Sequence, residues 1–117
     1  MIYIAGPYWH KDFRMRAYRA QTHAVYARHL IERSHPAFSP VAHGHFIDIQ
    51  PTNKPITNDA WIQISLGLMT ACNQLHILDF RDWQASKGTT LELAEARRRK
   101  LPIKLVRLDD FTATDYA

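Results

Sequence analysis

The segment Ser86-Lys87-Gly88-Thr89-Thr90-Leu91-Glu92 places a hydroxyl, a glycine and a carboxylate close together. The pattern predicts a helix that opens near Thr89 and holds Glu92 in its first turn, where the helix dipole keeps a carboxylate ionised at neutral pH. Gly88 lets the backbone approach a ligand, and the free N–H groups at the helix start suit an anion. Such an arrangement fits cleavage of a glycosidic bond at a ribose, because that transition state has oxocarbenium character. A simple helix cap explains the same local pattern.

Several side chains outside this segment also have chemistry suited to a ligand. His43 and His45 could contact a phosphate or a base, or could simply be exposed to solvent. Their spacing is not that of a zinc site, and neither a metal nor an organic cofactor is expected. Arg19 could bind a phosphate with a forked hydrogen bond, Trp83 could stack on a base, and Asp79 ends an apolar run. Solvent exposure, core packing and a turn cap, respectively, are the ordinary explanations for these three residues.

Size and charge limit the possible partners. The chain has 117 residues, of which 46% are hydrophobic, and a net charge of +4. This size suits one globular domain, and an enzyme this small commonly completes its site as a homodimer or a higher homo-oligomer. The positive charge favours anionic ligands, but the basic residues form no continuous tract. We therefore expect a small-molecule nucleotide or nucleoside as partner, and no specific nucleic acid.

Cysteine content and hydropathy bear on the compartment. The single cysteine, Cys72, lies in an apolar stretch and cannot form an intrachain disulfide, which fits a reducing compartment. Met1 leads directly into a short apolar run, and no apolar run approaches the roughly 18 residues of a membrane span. These features predict a cytoplasmic protein with no membrane partner.

Hydrophobic periodicity predicts alternating strands and helices. Strands are predicted at residues 2–5, 36–40, 75–80 and 103–106, and helices at residues 13–33, from about 57 to 72, and from about 89 to 101. Residues 41–55 have little periodicity and are predicted as a long irregular loop over the site. The order predicts an α/β fold, with a single-domain, doubly wound, mostly parallel sheet of the flavodoxin or Rossmann type and helices on both faces. Ligands then bind beyond the carboxyl ends of the strands.

Three segments together resemble the nucleoside 2-deoxyribosyltransferase-like superfamily, and most closely its small branches and its nucleoside 5′-monophosphate N-glycosidases. They are the opening Ile-Tyr-Ile-Ala-Gly-Pro-Tyr, the strand-ending His-Ile-Leu-Asp, and residues 83–96, with the sequence Trp-Gln-Ala-Ser-Lys-Gly-Thr-Thr-Leu-Glu-Leu-Ala-Glu-Ala. The resemblance runs from Met1 to about Val106. It implies a domain at residues 1–108 and a C-terminal tail at residues 109–117.

The resemblance also implies roles for individual residues. Glu92 would be the nucleophile that attacks the anomeric carbon of the sugar. Tyr8, after the Gly6-Pro7 turn, would position this nucleophile by a hydrogen bond or would act only as a lid. Asp59 would help the departing base to accept a proton, with an N-cap as the ordinary alternative. Ser86, where members acting on free nucleosides carry aspartate, favours a 5′-monophosphate.

The implied activity is cleavage of the N-glycosidic bond of a nucleoside 5′-monophosphate or a nucleoside. Ala94 stands where transferases of that superfamily usually carry glycine, and residues 109–117 do not clearly show their Asn-containing end. Hydrolysis is therefore favoured over 2-deoxyribosyl transfer. The alternative is a non-catalytic nucleotide-binding or sensing module that uses the same residues.

Overall fold

The computed structural model of the protein describes residues 1–52 and 54–116. Asn53, inside the predicted loop, and Ala117, the last residue of the predicted tail, lie outside the described residues. The strands are β1 (Ile2–Ala5), β2 (Ala37–Phe38), β3 (Gln74–Leu78), β4 (Ile103–Val106) and β5 (Ala113–Asp115). The helices are α1 (Phe13–Glu32), α2 (Pro40–Asp48), α3 (Asn58–Met69) and α4 (Lys87–Arg98), and a short 3-10 turn spans Trp83–Ala85. No helix within those ranges is both long and apolar enough to span a bilayer.

The strands form one sheet in the order β2-β1-β3-β4-β5. The first four strands are parallel, and β5 runs antiparallel to β4 at the edge. All of β1 and nearly all of β3 are buried, because helices cover both faces of these central strands. This burial explains why both strands have continuous apolar sequences. The strand order and the helical connections confirm the predicted α/β fold with a mostly parallel sheet.

The two faces of the sheet meet different helices. On one face, the hydroxyl of Tyr26 in α1 lies 2.6 Å from Nδ1 of His76 in β3. On the other face, the hydroxyl of Tyr3 in β1 donates a hydrogen bond to the carboxyl of Glu92 in α4. Because successive strand residues point to opposite faces, neighbouring positions in β1 face either α1 or the α3–α4 pair.

The prediction that residues 41–55 form a long loop is wrong, because α2 occupies the first half of that segment. Ser39 caps α2, and its Oγ accepts a hydrogen bond from the N–H of Ala42 at 3.0 Å. Pro40 takes the first helical position, where the missing N–H of proline costs nothing. The proline that was predicted to end the preceding strand therefore marks the start of a helix.

The His-Gly-His sequence of this segment consequently lies on a helix. An added Cβ at Gly44 would lie 3.1 Å from the indole ring of Trp61, so the glycine allows α2 and α3 to pack closely. His43 is exposed on α2, whereas His45 is only 7% exposed. The two histidines therefore have different environments.

The segment predicted as a C-terminal tail extends the sheet beyond residue 108. β5 pairs with β4 so that Thr114 lies opposite Leu105. Tyr116 packs edge-on against Trp83, with 5.5 Å between the ring centroids. β5 therefore forms an exposed edge of the sheet, and Tyr116 after it packs against the core.

Candidate active site

A cavity of about 800 Å³ is lined by the segments that follow β1, β2 and β3. This position agrees with the rule that parallel sheets bind ligands beyond the carboxyl ends of their strands. The volume lies within the range of about 300–1,000 Å³ that is usual for small-molecule sites. The predicted site residues that line it are Gly6, Pro7, Tyr8, Arg19, His43, His45, Ser86, Gly88 and Glu92.

Glu92 lies in the second turn of α4, and the prediction of a first-turn position is wrong. Ser86 is the N-cap, and the helix begins at Lys87, two residues earlier than the sequence indicated. The helix dipole acts mainly within the first turn. The state of the Glu92 carboxyl is therefore set by its other surroundings.

Burial and one hydrogen bond govern the Glu92 carboxyl. Burial raises the pKa of Glu92 from 4.5 to about 7, and the Tyr3 hydroxyl, which donates to Oε2, partly opposes this rise. Burial therefore disfavours the ionised carboxylate that the sequence led us to expect at neutral pH. Oε1 has no hydrogen-bond partner among the described residues.

Tyr3 is the principal site residue that the sequence reasoning missed. Its side chain is fully buried in β1, and burial together with the nearby Glu92 raises the pKa of its hydroxyl, which keeps it a neutral donor. The sequence did contain one indication of this role, a tyrosine inside a short apolar strand. A buried tyrosine hydroxyl requires a hydrogen-bond partner. The partner could not be identified from local spacing.

Tyr8 contacts α2, and the predicted bond from Tyr8 to Glu92 is made by Tyr3. The Tyr8 hydroxyl lies 2.9 Å from Oδ2 of Asp48 and 2.9 Å from Nδ1 of His45. Burial and the nearby carboxylate raise the pKa of this hydroxyl above its ordinary value. Asp48, which lines the cavity, was not predicted as a site residue.

The start of α4 supplies a hydroxyl and backbone N–H groups. Ser86 Oγ accepts hydrogen bonds from the N–H of Thr89 at 3.3 Å and from the Thr89 hydroxyl at 3.0 Å. Because both bonds are accepted by Ser86, its own hydroxyl proton can be donated to a ligand. The N–H groups of Lys87 and Gly88 lie in the first turn, where a helix provides no acceptor for them.

Arg19 lines the cavity, but its guanidinium already has protein partners. One Nη donates to the carbonyl oxygen of Trp9 at 3.0 Å, and the other donates to the Asp82 carboxylate at 3.0 Å. The Arg19 side chain is only 7% exposed. Arg19 thus joins the loop after β1 to the loop after β3, and it would bind a phosphate only by releasing Asp82.

Gly6 provides space at the end of β1. An added Cβ there would lie 2.8 Å from Nε2 of His23, a fully buried ring. That ring is held by Ser39 Oγ at 3.0 Å and stacks on Phe80, so it has little freedom to move. Pro7, the next residue, is also buried and lines the cavity.

Three predicted site residues are not among the described residues that line the cavity. Asp59 is exposed in the first turn of α3, where Thr57 is the cap. Asp79 is exposed after β3. Trp83 is 4% exposed and packs against Tyr116, as the core-packing explanation predicts. Trp61, from α3, is the tryptophan that lines the cavity together with Trp9.

Within residues 1–52 and 54–116, no group of three or more His, Cys, Asp or Glu side chains is arranged to hold a metal ion. His43 packs near Phe38, with 5.5 Å between their centroids, and His45 bonds to Tyr8.

The fold and the cavity define an α/β domain with a partly buried carboxyl in the wall of a cavity at the carboxyl edge of its sheet. The chain belongs to a family of domains of unknown function (DUF1937), whose model matches residues 1–107. The matched range includes every described residue that lines the cavity. No curated protein matches the chain. The resemblance to the nucleoside 2-deoxyribosyltransferase-like superfamily therefore stays a prediction.

Proposed function

We propose that the protein is an enzyme that cleaves the N-glycosidic bond of a nucleoside 5′-monophosphate or a nucleoside, with Glu92 as nucleophile. The observation that carries this proposal is the partly buried Glu92 carboxyl in the cavity wall, with Oε2 held by Tyr3. The resemblance of residues 83–96 to the deoxyribosyltransferase-like superfamily supports the same assignment.

The reaction consists of two displacements at the anomeric carbon. Glu92 Oε1 attacks this carbon while the bond to the base nitrogen breaks, and the bonding electron pair leaves with the base. The Tyr3 hydrogen bond fixes the carboxylate and stabilises its ionised form. Water then attacks the anomeric carbon of the glycosyl-enzyme, which releases the sugar and restores the carboxylate. Two such displacements retain the configuration at that carbon.

The start of α4 supports a 5′-monophosphate as the preferred substrate. Ser86, Lys87 and Gly88 line the same cavity as Glu92. Backbone N–H groups at a helix start bind phosphate oxygens without a side-chain cation. The net charge of +4 adds a general attraction for anions.

A panel of nucleosides and nucleoside 5′-monophosphates, analysed for free base by chromatography, tests the proposal. Glu95→Gln is the matched control for Glu92→Gln, since Glu95 lies on the same helix and pairs with Arg98 at 2.6 Å. We expect base release by the wild type and by Glu95→Gln, and a loss of about 10³-fold or more for Glu92→Gln. The absence of base release from every substrate contradicts the proposal. Saturable thermal stabilisation by a nucleotide, unchanged in Glu92→Gln and without turnover, would instead indicate a binding or sensing module.

Ser86→Asp tests the phosphate preference. Aspartate keeps the N-cap of α4, so the fold is retained, but its negative charge faces the proposed phosphate position. We expect the KM for a 5′-monophosphate to rise by about tenfold or more, while cleavage of the corresponding nucleoside is maintained. An unchanged ratio of the two activities would place the phosphate elsewhere.

We further propose a cytoplasmic homo-oligomer. The lone buried thiol of Cys72 suits a reducing compartment. Ile64 of α3 and Leu91 of α4 line the cavity, yet they are 48% and 38% exposed, so a second copy would cover apolar surface there. Light scattering of the purified protein should give the mass of a dimer or a larger assembly, and a monomer at micromolar concentration would contradict this part of the proposal.

A further inference from the structure

A chain of hydrogen-bonded side chains from α2 and from the loop after β1 faces the same cavity as Glu92 and has no part in the displacement described above. It consists of His45, Tyr8 and Asp48, all three of which line the cavity. We propose that His45 is the acid that protonates the departing base, with Tyr8 and Asp48 as positioning residues. This inference rests on the proposed function and adds to it the group that makes the base a good leaving group.

The hydrogen bonds determine which nitrogen of His45 faces the chain. An ionised Asp48 can only accept, so the Tyr8 hydroxyl donates to Oδ2 over 2.9 Å. The Tyr8 oxygen must then accept at its other contact, and Nδ1 of His45, 2.9 Å away, is therefore the protonated nitrogen. Arg16 of α1 lies 3.9 Å from the same Asp48 carboxylate oxygen and forms an ion pair with it.

Nε2 of His45 is consequently the nitrogen left for a ligand. It has no hydrogen-bond partner in the described part of the chain, and it is not fully enclosed by protein atoms. The ring is fixed by its Nδ1 bond and by edge-on contacts with Tyr8 and Phe46 at 5.7 Å and 5.4 Å between centroids. A fixed imidazole with a free Nε2 in a cavity has the geometry of a general acid or base.

The proton balance of the reaction is complete with this group. As the glycosidic bond breaks, its electron pair goes to the base nitrogen, and the proton on Nε2 of the imidazolium moves to the base. His45 is then neutral. In the second step, the water that attacks the glycosyl-enzyme gives a proton to Nε2, which restores the imidazolium, while Glu92 leaves as a carboxylate.

The other acidic groups near the cavity are less suited to this role. Asp59, to which the resemblance assigned it, is exposed and is not among the described lining residues. Asp82 is engaged by Arg19 at 3.0 Å. Asp48 accepts from Tyr8 and carries no proton to give.

Leaving-group dependence provides the test. The test compares two variants, His45→Asn and Glu92→Gln, with the wild type on two substrates. One substrate is the nucleotide that the wild type cleaves fastest. The other is the 4-nitrophenyl glycoside of the same sugar phosphate, whose leaving group departs without a proton. Asparagine preserves a donor toward Tyr8, which protects the local structure. We expect His45→Asn to lose about 100-fold in kcat/KM on the nucleotide and less than about threefold on the nitrophenyl substrate, whereas Glu92→Gln loses activity on both. Equal losses of His45→Asn on both substrates, or no loss on the nucleotide, would overturn the proposal.

Tyr8→Phe serves as the second variant if His45→Asn does not fold. It removes only the hydroxyl that orients the imidazole. We expect the same dependence on the leaving group, with a loss of about tenfold on the nucleotide alone. A loss that is equal for the two substrates contradicts a positioning role for Tyr8.

Nitrogen-15 NMR of the histidine rings separates this inference from the proposed function. We expect neutral His45 to carry its proton on Nδ1, this preference to weaken in Tyr8→Phe, and its Nε2 resonance to shift when free purine or pyrimidine bases are added. If the wild type cleaves no nucleotide but shows these shifts, the result contradicts the proposed cleavage but supports binding of the base by His45. An Nε2-protonated neutral ring, or no shift at saturating base, would overturn the role of His45 whatever the activity.

Discussion

Glu92 and Tyr3 form the residue pair on which the proposed chemistry depends. Burial raises the pKa of Glu92 to about 7, and the Tyr3 hydrogen bond lowers it. Because only the carboxylate attacks, we expect kcat/KM on the 4-nitrophenyl substrate, whose leaving group needs no acid, to rise with pH and to level off above a pKa of about 7. Tyr3→Phe removes the stabilising donor, so the rising limb moves to higher pH. A limb that stays in place in Tyr3→Phe, or lies near the ordinary pKa of glutamate, would show that another group controls the rate.

The glycine at the end of β1 gives a second prediction at the residue scale. Gly6→Ala places a methyl group 2.8 Å from Nε2 of His23, inside a packed environment. We expect a loss of about 1–3 kcal/mol in the free energy of unfolding, measured by urea denaturation. Gly88→Ala is the matched control, because an added Cβ there meets no described atom within 4 Å. Equal stability of the two variants would contradict the close contact at Gly6.

At the scale of elements, α1 and α4 end in the same way. After α4, the N–H of Lys100 bonds to the carbonyl of Arg97 and the N–H of Leu101 bonds to the carbonyl of Ala96, which is the Schellman pattern. Lys100 has a φ of 57°, and Ser34 takes the equivalent position after α1 with a φ of 63°. Both are left-handed conformations in which glycine is favoured.

Lys100→Gly should therefore stabilise the protein. We expect the free energy of unfolding to rise by about 0.5–1 kcal/mol, since glycine adopts this conformation without steric cost. Lys100→Ala, which removes the charge but keeps the Cβ, should give no such gain. A rise of similar size in both variants would assign the effect to charge repulsion among the basic residues at the end of α4.

The elements differed in how well the sequence predicted them. The central strands β1 and β3 and helix α1 were predicted because an apolar run or a helical repeat is a local property of the chain. Helix α2 was missed because its segment has little hydrophobic periodicity and contains Gly44, and because Pro40 was assigned to the end of a strand. Pro40 starts the helix, and Gly44 allows close contact with Trp61. Both roles depend on the folded structure and cannot be recognised in the local sequence.

The hydrogen bonds of the site were harder to predict than the helices and strands, because they join residues far apart in the sequence. Glu92 was found from its own segment, but Tyr3 lies 89 positions away in the chain, and no local spacing connects the two. The same is true of Asp48, whose partners Tyr8 and Arg16 come from the loop after β1 and from α1. Parallel topology brings these segments together at one edge of the sheet, so the location of the site was predictable, whereas its hydrogen bonds were not.

At the scale of the whole molecule, the proposed nucleophile should lower the stability of the fold. The pKa of Glu92 is raised from 4.5 to about 7 on folding, so above pH 7 the folded protein keeps a buried carboxylate that the unfolded chain would hydrate. This cost is fully present above the folded pKa, decreases as the pH falls, and disappears below the unfolded pKa. Glu92→Gln should therefore unfold with a free energy about 2–3 kcal/mol higher than the wild type at pH 8.

Urea denaturation of both proteins at several pH values measures this difference. Comparison at each pH cancels the titration of the groups that the two proteins share. The gain for Glu92→Gln should shrink as the pH falls and vanish near pH 4.5, the ordinary pKa of the side chain. A difference that does not vary with pH would mean that burial does not disfavour the ionised form of Glu92.

Capture of the glycosyl-enzyme is the most direct test of the central claim that Glu92 attacks the sugar. A nucleoside 5′-monophosphate with fluorine on the carbon next to the anomeric centre slows hydrolysis of the intermediate, because fluorine destabilises the oxocarbenium-like transition state. Intact-protein and peptide mass spectrometry should show the added mass of one sugar phosphate on the peptide that contains Glu92, and no such mass on Glu92→Gln. Release of base without an adduct, or an adduct on another residue, would contradict the account.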